Sequence, residues 1–215
     1  MTRQHDLAAE AVRRGATPGR GYAFARAVSQ VLHPVVLGVA STLIVGLLGV
    51  TPVREGVLWA LVCIFLQIVP GTIFFMIRLR QGAYTDEDIS VRTQRNELYI
   101  FGIANMAIGL VALRLLGAPP PILAMVAAAT LLSVLGWAIN LRWKISVHAS
   151  TMGSTATLAS LHSVPLGLAL WLCALVLGWA RVRTRNHTPL QVVAGLALAV
   201  ACVVGTFTAF GLGGG

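Results

Sequence analysis

The sequence predicts an all-helical membrane protein, and its composition and long apolar segments are the observations behind this prediction. Hydrophobic residues make up 57% of the 215 residues and charged residues only 11%, and the mean hydropathy of +0.81 is far too high for an ordinary soluble domain. A helix needs about 20 predominantly apolar residues to cross a bilayer. Five segments satisfy this requirement: 31–50, 57–77, 98–116, 121–141 and 189–211.

Residues 145–183 decide whether the bundle has six or seven spans. They could form one very long helix or two shorter ones separated by the turn-like sequence LHSVP, and two are favoured because Pro165 suits a first helical turn. We therefore expect a polytopic helix bundle that forms a single transmembrane domain over residues 31–211. Residues 1–30 are polar, arginine-bearing and without a secretory signal, which predicts a cytoplasmic tail or a segment on the membrane surface.

The positive charges predict which face of the membrane carries the functional groups. If residues 145–183 cross twice, fourteen of the sixteen Lys and Arg residues fall on one face, in segments 1–30, 78–97, 142–144 and 181–188. The positive-inside rule assigns this face to the cytoplasm of a multi-pass cell-membrane protein. Because the net charge of +9 gathers at membrane edges without interleaved aromatic residues, lipid head groups or phosphates are better partners than nucleic acid.

Histidines and further polar residues lie on the same face. In WARVRTRNHTPLQVVAG (residues 179–195), Arg181 precedes His187 by six positions, and Thr188 and Pro189 suit the N-cap and first residue of the final helix. The free amides of such a helix start favour an anion. This segment therefore predicts a phosphate site.

Two other connections supply similar groups. The sequence RWKISVHAS (142–150) contributes Lys144, Ser146 and His148, followed by small residues that let helices approach closely. The sequence SVRTQRNE (90–97) contributes Arg92 and Arg95. Neutral imidazole can attack phosphorus, imidazolium can protonate a leaving oxygen, and guanidinium groups stabilise the transferring phosphoryl group. This chemistry requires no metal or other cofactor.

These motifs resemble those of the type 2 phosphatidic acid phosphatase superfamily, integral membrane lipid phosphatases related to vanadium-dependent haloperoxidases. Arg181 and His187 keep the spacing of the family's third motif, Ser-Arg, five residues, His, three residues, Asp. ISVH (145–148) keeps the Ser and His of Pro-Ser-Gly-His, and RTQRN (92–96) keeps the basic character of the first motif. The resemblance covers residues 78 to 195, and KISVH and HTPxQVVAG also resemble a bacterial branch of the family.

The resemblance implies a helix bundle with a phosphatidic acid phosphatase-like core and a catalytic role for residues 31–211. It implies that His187 forms a phosphohistidine, that His148 protonates the departing alcohol, and that Gln191 stands where the family has the aspartate orienting the nucleophile. The phosphate-holding residues would be Arg181, Arg95, Arg92, Lys144 and Ser146. The implied activity is metal-independent removal of phosphate from a lipid phosphate or an isoprenyl phosphate or diphosphate.

Several positions depart from the family pattern. Gln191 replaces the aspartate and Asp88 occupies the position of the lysine; Ala180, Ile145 and Asn96 replace a serine and two prolines. An amide cannot stabilise an imidazolium as a carboxylate does, and such a replacement lowers turnover by roughly 10⁴ in the serine protease template. Either another acid, Asp86, Asp88 or Glu97, reaches His187, or the site binds phosphate without this chemistry.

Two other functions remain open from the sequence. Asp86 and Asp88 could hold Mg²⁺ that bridges a diphosphate, as a terpene cyclase or prenyltransferase would require. The neutral Gln191 alternatively suggests a protein that binds or transports a lipid phosphate without cleaving it.

Structural explanations compete with some of these roles. Thr188 to Gln191 matches a Thr-x-x-Gln capping box, at even odds with an orienting role for Gln191, and residues 85–88 match a second capping box, favoured over a metal site. His33 and His162 are expected to be interfacial or packing residues. The isolated Cys63, Cys173 and Cys202 lack the pairing that a metal or redox site requires.

Overall fold

The computed structural model describes residues 19–86, 88–89 and 91–212, and within these ranges the chain is helical, with no strand. The predicted all-helical architecture is confirmed. The nine α-helices of the described residues are α1 (Arg20–Val31), α2 (Pro34–Gly49), α3 (Val53–Cys63), α4 (Val69–Arg80), α5 (Arg95–Leu115), α6 (Pro120–Asn140), α7 (Val147–His162), α8 (Val164–Arg183) and α9 (Pro189–Ala209). A π-helical turn, Ile64–Ile68, joins α3 to α4, and a 3₁₀ turn, Arg92–Gln94, precedes α5.

Five helical segments of the described chain are long and apolar enough to cross a membrane. They are α3 continued through the π turn into α4, α5 with its 3₁₀ turn, α6, α8 and α9. A sixth results if α1 and α2, which are bent by 44°, count as one span. The predicted span 31–50 corresponds to α2, which begins at Pro34 because a proline suits the first turn of a helix but not its interior. With 16 residues α2 is a candidate span only together with α1.

The predicted tail is partly helical. Residues 1–18 lie outside the described residues, but α1 begins at Arg20 and packs against α8, with the rings of Phe24 and Trp179 6.0 Å apart.

Residues 145–183 form two helices, as predicted. The break falls at Ser163, and Pro165 lies in the first turn of α8. Helix α7 has only 16 residues, but it is central to the bundle because α2, α8 and α9 all pack against it.

Close packing of α7 on α9 follows from two glycines. A Cβ on Gly153 of α7 would lie 3.2 Å from the Ala199 side chain of α9. A Cβ on Gly195 of α9 would lie 2.9 Å from the carbonyl oxygen of Ser146, at the start of α7. Small residues permit this approach. It holds the starts of α7 and α9 side by side, at the level of the two predicted catalytic histidines.

Side-chain caps fix where these two helices begin. Ser146 Oγ accepts the backbone N–H of Ala149 at 3.3 Å at the start of α7. The predicted capping box of Thr188 and Gln191 is present at the start of α9. The second predicted capping box, at residues 85–88, is wrong. The backbone N–H of Asp88, which the box would direct to the Thr85 hydroxyl, donates to Asp86 Oδ1 at 2.9 Å, and the Thr85 hydroxyl donates to the side chain of Gln94.

Candidate functional site

The three connections predicted to converge meet at one end of the bundle. Arg181 of α8 contacts Asp88 of the α4–α5 connection, Nη1 to Oδ1, at 2.9 Å. Lys144 Nζ of the α6–α7 connection donates to the carbonyl of Asn186, between α8 and α9, at 2.9 Å. Arg95 Nη1 donates to the carbonyl of Ile145 at 3.1 Å and closes the set. Each pair of connections is therefore joined by a cationic side chain.

Both predicted catalytic histidines line one cavity of about 390 Å³. His148 comes from the first turn of α7, and His187 comes from the α8–α9 connection. Arg95 and Asp88 line the same cavity. The cavity volume lies in the range of about 300–1,000 Å³ that is usual for ligand pockets. The two imidazoles therefore border the same ligand-sized space.

Asp88 lies at the centre of the polar cluster. Its Oδ1 accepts from Arg181, its Oδ2 accepts from Asn186 Nδ2 at 3.0 Å, and Oδ1 lies 3.9 Å from Nε2 of His148. Arg181 is only 1% exposed, so the carboxylate balances a buried charge. Asp88 was predicted as a metal ligand or as an acid for His187, but the structure places its carboxylate beside Arg181 and His148.

Gln191 both caps α9 and contacts His187. Its Oε1 accepts the backbone N–H of Thr188 at 3.2 Å and lies 3.1 Å from Nδ1 of His187. Because a backbone N–H can only donate, the amide atom facing it must be the oxygen. That oxygen accepts a hydrogen bond from the Nδ1–H of His187, so in the neutral ring the lone pair is on Nε2. The capping and orienting functions of Gln191, alternatives in the sequence, are thus compatible.

Burial and neighbouring charge keep His187 neutral. Burial lowers the pKa of His187 to about 2, with Lys144, Arg95 and Arg181 adding to the effect. Burial also lowers the pKa of Lys144 to about 8, again with a contribution from the two arginines. A bound anion would offset this positive field. The site therefore combines a neutral imidazole with cations that lack sufficient counter-charge.

The two arginines of the first motif have different positions. Arg95 is 5% exposed and donates to the carbonyls of Asp88, Ile89 and Ile145, so it holds two connections together beside the cavity. Arg92 donates instead to the carbonyls of Asn140, at 2.5 Å, and of Leu141. These carbonyls lie at the C-terminus of α6, where a cation is favourable. The geometry gives Arg92 a capping contact and Arg95 a place in the site.

Two further predicted residues have structural contacts. Ser146 is fully buried, and its hydroxyl serves as the N-cap of α7. Glu97, a candidate acid for His187, instead pairs with Arg78, whose Nη2 donates to Oε2 at 3.0 Å.

His33 and Asn186 are site residues that the sequence analysis missed. The ring of His33 packs edge-on against His148 with centroids 5.6 Å apart, and it lines the cavity. The sequence offered one signal for His33, its position directly before Pro34, which suits an N-cap. In the structure His33 is the N-cap of α2, and its Nδ1 accepts the N–H of Val35 at 3.3 Å. For Asn186, the sequence gave no indication of a role in the site other than its position next to His187. His162, by contrast, lies near Phe207 at the other end of α7, as expected.

The described residues offer little to a metal ion. No group of three or more His, Cys, Asp or Glu side chains in the described part of the chain is arranged to hold one. Of the two proposed Mg²⁺ ligands, Asp88 gives its carboxylate to Arg181 and Asn186, and Asp86 Oδ1 accepts the backbone N–H of Asp88 at 2.9 Å. These two carboxylates do not fit a magnesium site in this arrangement.

The fold and the site together define a helical protein with candidate membrane spans and a buried cluster of imidazole and cationic groups at one end. No family model matches the chain, and no curated protein or solved structure matches it. The geometry described above therefore carries the functional argument.

Proposed function

We propose that this protein is a membrane phosphatase that removes phosphate from a lipid or isoprenyl phosphate, by the histidine-based, metal-independent chemistry of the superfamily its motifs resemble. The observation that carries the proposal is that His148, His187 and Arg95 line one cavity, which continues between apolar helices. An amphiphilic substrate with an anionic head and a hydrocarbon tail suits such a cavity. The charge distribution of the sequence assigns the mouth to the cytoplasmic face of the cell membrane.

The charge of the cluster supports binding of a phosphate. Three cations, Arg95, Arg181 and Lys144, act on one another and on the carboxylates of Asp86 and Asp88. With Lys144 protonated, one positive charge remains uncompensated. A phosphate group would restore the balance and accept the guanidinium protons that remain available.

His187 is the proposed nucleophile. Its Nε2 carries the lone pair, because Nδ1 donates to Gln191. A neutral imidazole is the reactive form, and burial keeps the pKa of His187 far below neutral pH. Attack on phosphorus would give a phosphohistidine and release the alcohol, and water would then hydrolyse the phosphohistidine.

His148 is the proposed acid that protonates the departing alcohol. The Asp88 carboxylate lies 3.9 Å from its Nε2. Burial, with the positive charge of Arg181 next, lowers the pKa of His148, so the proposed acid gains its proton when the negative charge of a bound phosphate favours the imidazolium form. The carboxylate missing beside His187 is thus present beside the other histidine. We infer that Asp88 supports acid catalysis and positions Arg181.

A second candidate function is binding or transport of a lipid phosphate without hydrolysis. The neutral Gln191 favours it, because an amide does not stabilise the imidazolium form of His187 during turnover. The magnesium-dependent cyclase or prenyltransferase is the third candidate, and the contacts of Asp88 disfavour it.

The test is an assay of purified protein against farnesyl phosphate, farnesyl diphosphate and phosphatidate that measures both phosphate and hydrocarbon product. We expect phosphate release that survives EDTA and is lost in His187→Ala and His148→Ala. His162→Ala is the matched control, since this histidine lies at the other end of α7. Loss of activity with EDTA and a cyclic or prenylated product would establish the third candidate. Binding without any release would establish the second.

A further inference from the structure

We propose that the cavity accepts one hydrocarbon chain of the substrate inside the helix bundle, and that Gly71 and Gly102 determine which chains fit. This inference rests on the proposed function, because it assigns the substrate class to the same site. Such a cavity would select phosphates with a single hydrocarbon chain, such as isoprenyl phosphates, over phosphatidate with its two acyl chains.

The cavity extends from the polar cluster deep into the bundle. His148 and Leu158 of α7 both line it, and they are ten residues apart, which is about 15 Å along the helix at 1.5 Å per residue. Cys63 and Met125 also line the cavity, and Cys63, Met125 and Leu158 are 1%, 6% and 1% exposed. Buried apolar side chains therefore surround the part of the cavity away from the polar cluster.

The volume limits what can enter. An apolar cavity of about 150 Å³ holds one benzene molecule, so about 390 Å³ holds on the order of fifteen carbons. That is one chain of medium length. Two long acyl chains require more space than the cavity has, and one of them would have to remain outside.

The local geometry of α4 explains why space is present. The π turn Ile64–Ile68 interrupts the helix before α4, and the carbonyls of Leu66 and Gln67 accept from Asn105 Nδ2 at 3.3 and 3.0 Å. No residue of α4 is buried. Helix α4 touches α5 where the rings of Phe74 and Phe101 stack with centroids 4.0 Å apart, and other residues of the same two helices line the cavity.

Glycines occupy the middle of the facing stripes on both helices. The cavity is lined on α5 by Leu98, Tyr99, Gly102 and Met106, a helical spacing that faces one way. On the other side, Ile68, Gly71, Thr72 and Phe75 follow the same pattern. A Cβ on Gly71 or Gly102 would meet nothing within 4 Å. Each missing side chain therefore leaves room that a substrate chain can occupy.

The experiment replaces these glycines by leucine in protein reconstituted in nanodiscs. Gly71→Leu and Gly102→Leu introduce a side chain into open space, and leucine is a better helix former than glycine, so both variants should fold. Gly205→Leu is the matched control, since Gly205 of α9 also has nothing within 4 Å but does not line the cavity. The probes are farnesyl phosphate, the short dimethylallyl phosphate and phosphatidate.

Two readouts distinguish binding of the hydrocarbon chain beside Gly71 and Gly102, which we call the tail subsite, from the hydrolysis of the phosphate. For hydrolysis, we expect kcat/KM for farnesyl phosphate to fall about tenfold or more in Gly102→Leu and Gly71→Leu, because a filled apolar pocket rejects a chain by roughly this factor. The value for dimethylallyl phosphate should not change, and Gly205→Leu should behave as the wild type. For binding, farnesyl phosphate should raise the Tm of the wild type more than dimethylallyl phosphate does, and the two cavity variants should lose this difference.

Unchanged selectivity in both cavity variants, or equal use or binding of phosphatidate and farnesyl phosphate by the wild type, would overturn the inference. If no probe is hydrolysed while the chain-dependent rise in Tm persists and is lost in Gly102→Leu, the tail subsite stands and the phosphatase proposal fails.

Discussion

The Nδ1 atom of His187 lies 3.1 Å from Oε1 of Gln191, and the same oxygen accepts the backbone N–H that opens helix α9. One amide therefore links the start of a helix to the tautomer of the proposed nucleophile. The link is specific in direction, because the backbone N–H of Thr188 fixes which end of the amide faces the imidazole. It also leaves the imidazole without a carboxylate partner.

We expect Gln191→Glu to increase turnover. The carboxylate keeps the reach of the side chain and both acceptor contacts, and it adds the charge that stabilises an imidazolium. Since the reverse change in a serine protease lowers kcat by roughly 10⁴, an increase of about tenfold or more in kcat on farnesyl phosphate is expected. Steady-state kinetics at constant pH would measure it.

Thr188→Ala is the control for this change, because it removes the hydroxyl cap but keeps the backbone contact to Gln191. Its unfolding free energy should fall by about 1 kcal/mol with kcat unchanged. A Gln191→Glu variant no faster than the wild type would show that charge beside His187 does not limit the reaction.

Asp88→Asn should impair acid catalysis selectively. Burial and Arg181 already lower the pKa of His148, and the amide removes the carboxylate 3.9 Å from its Nε2 that opposes them, so an alkyl phosphate, whose leaving group needs a proton, should be hydrolysed about 10²-fold more slowly. Release of p-nitrophenolate, which leaves without protonation, should be nearly unaffected. Comparing kcat for the two substrates in Asp88→Asn and His148→Gln checks this. Equal losses on both substrates would instead assign Asp88 to holding Arg181 alone.

The affinity of the site for an anion should depend on the charge of Lys144. Because the pKa of Lys144 is lowered to about 8, its charge is lost as the pH rises through that value. Affinity for sulfate, whose own charge is constant in this range, should then fall by up to about tenfold per pH unit. Lys144→Arg, which stays protonated, should bind sulfate equally from pH 7 to about 10. Calorimetric titration would measure both, and a flat wild-type profile would contradict the prediction.

His187 should make the folded protein sensitive to acid. In the unfolded chain this imidazole takes up a proton near its ordinary pKa of 6.5, whereas its pKa in the folded protein is about 2. Its contribution to stability is therefore fully present above pH 6.5 and declines by about 1.4 kcal/mol per pH unit as the pH falls below that value. Thermal unfolding of the wild type and of His187→Asn between pH 7.5 and 4.5 compares the two. If the stability of the wild type and of His187→Asn changed with pH in the same way, a neutral buried His187 would not be the source of the acid sensitivity.

Several features were predictable from the sequence because they depend on neighbouring residues or on bulk composition. Apolar length indicated candidate spans, Pro165 indicated the break between α7 and α8, and Thr188 with Gln191 indicated the capping box. A rule based on neighbouring residues also gave one wrong prediction. The sequence at residues 85–88 matched a capping box, but the side chain of Gln94, nine residues beyond Thr85, takes the contacts.

The sequence by itself determined the long apolar helices, the capping box of α9 and the grouping of histidines and cations at helix ends, since each follows from hydrophobicity, backbone geometry or spacing along the chain. Only the tertiary structure decided that Asp88 faces His148, that Arg92 caps α6 while Arg95 enters the site, and that His33 packs on His148. These partners are distant in the sequence and meet only because the helices pack. Gly153 and Gly195, for example, let α7 and α9 pack closely enough to place the His148 end of α7 beside the start of α9. Spacing along one helix cannot specify a contact that depends on how several helices pack.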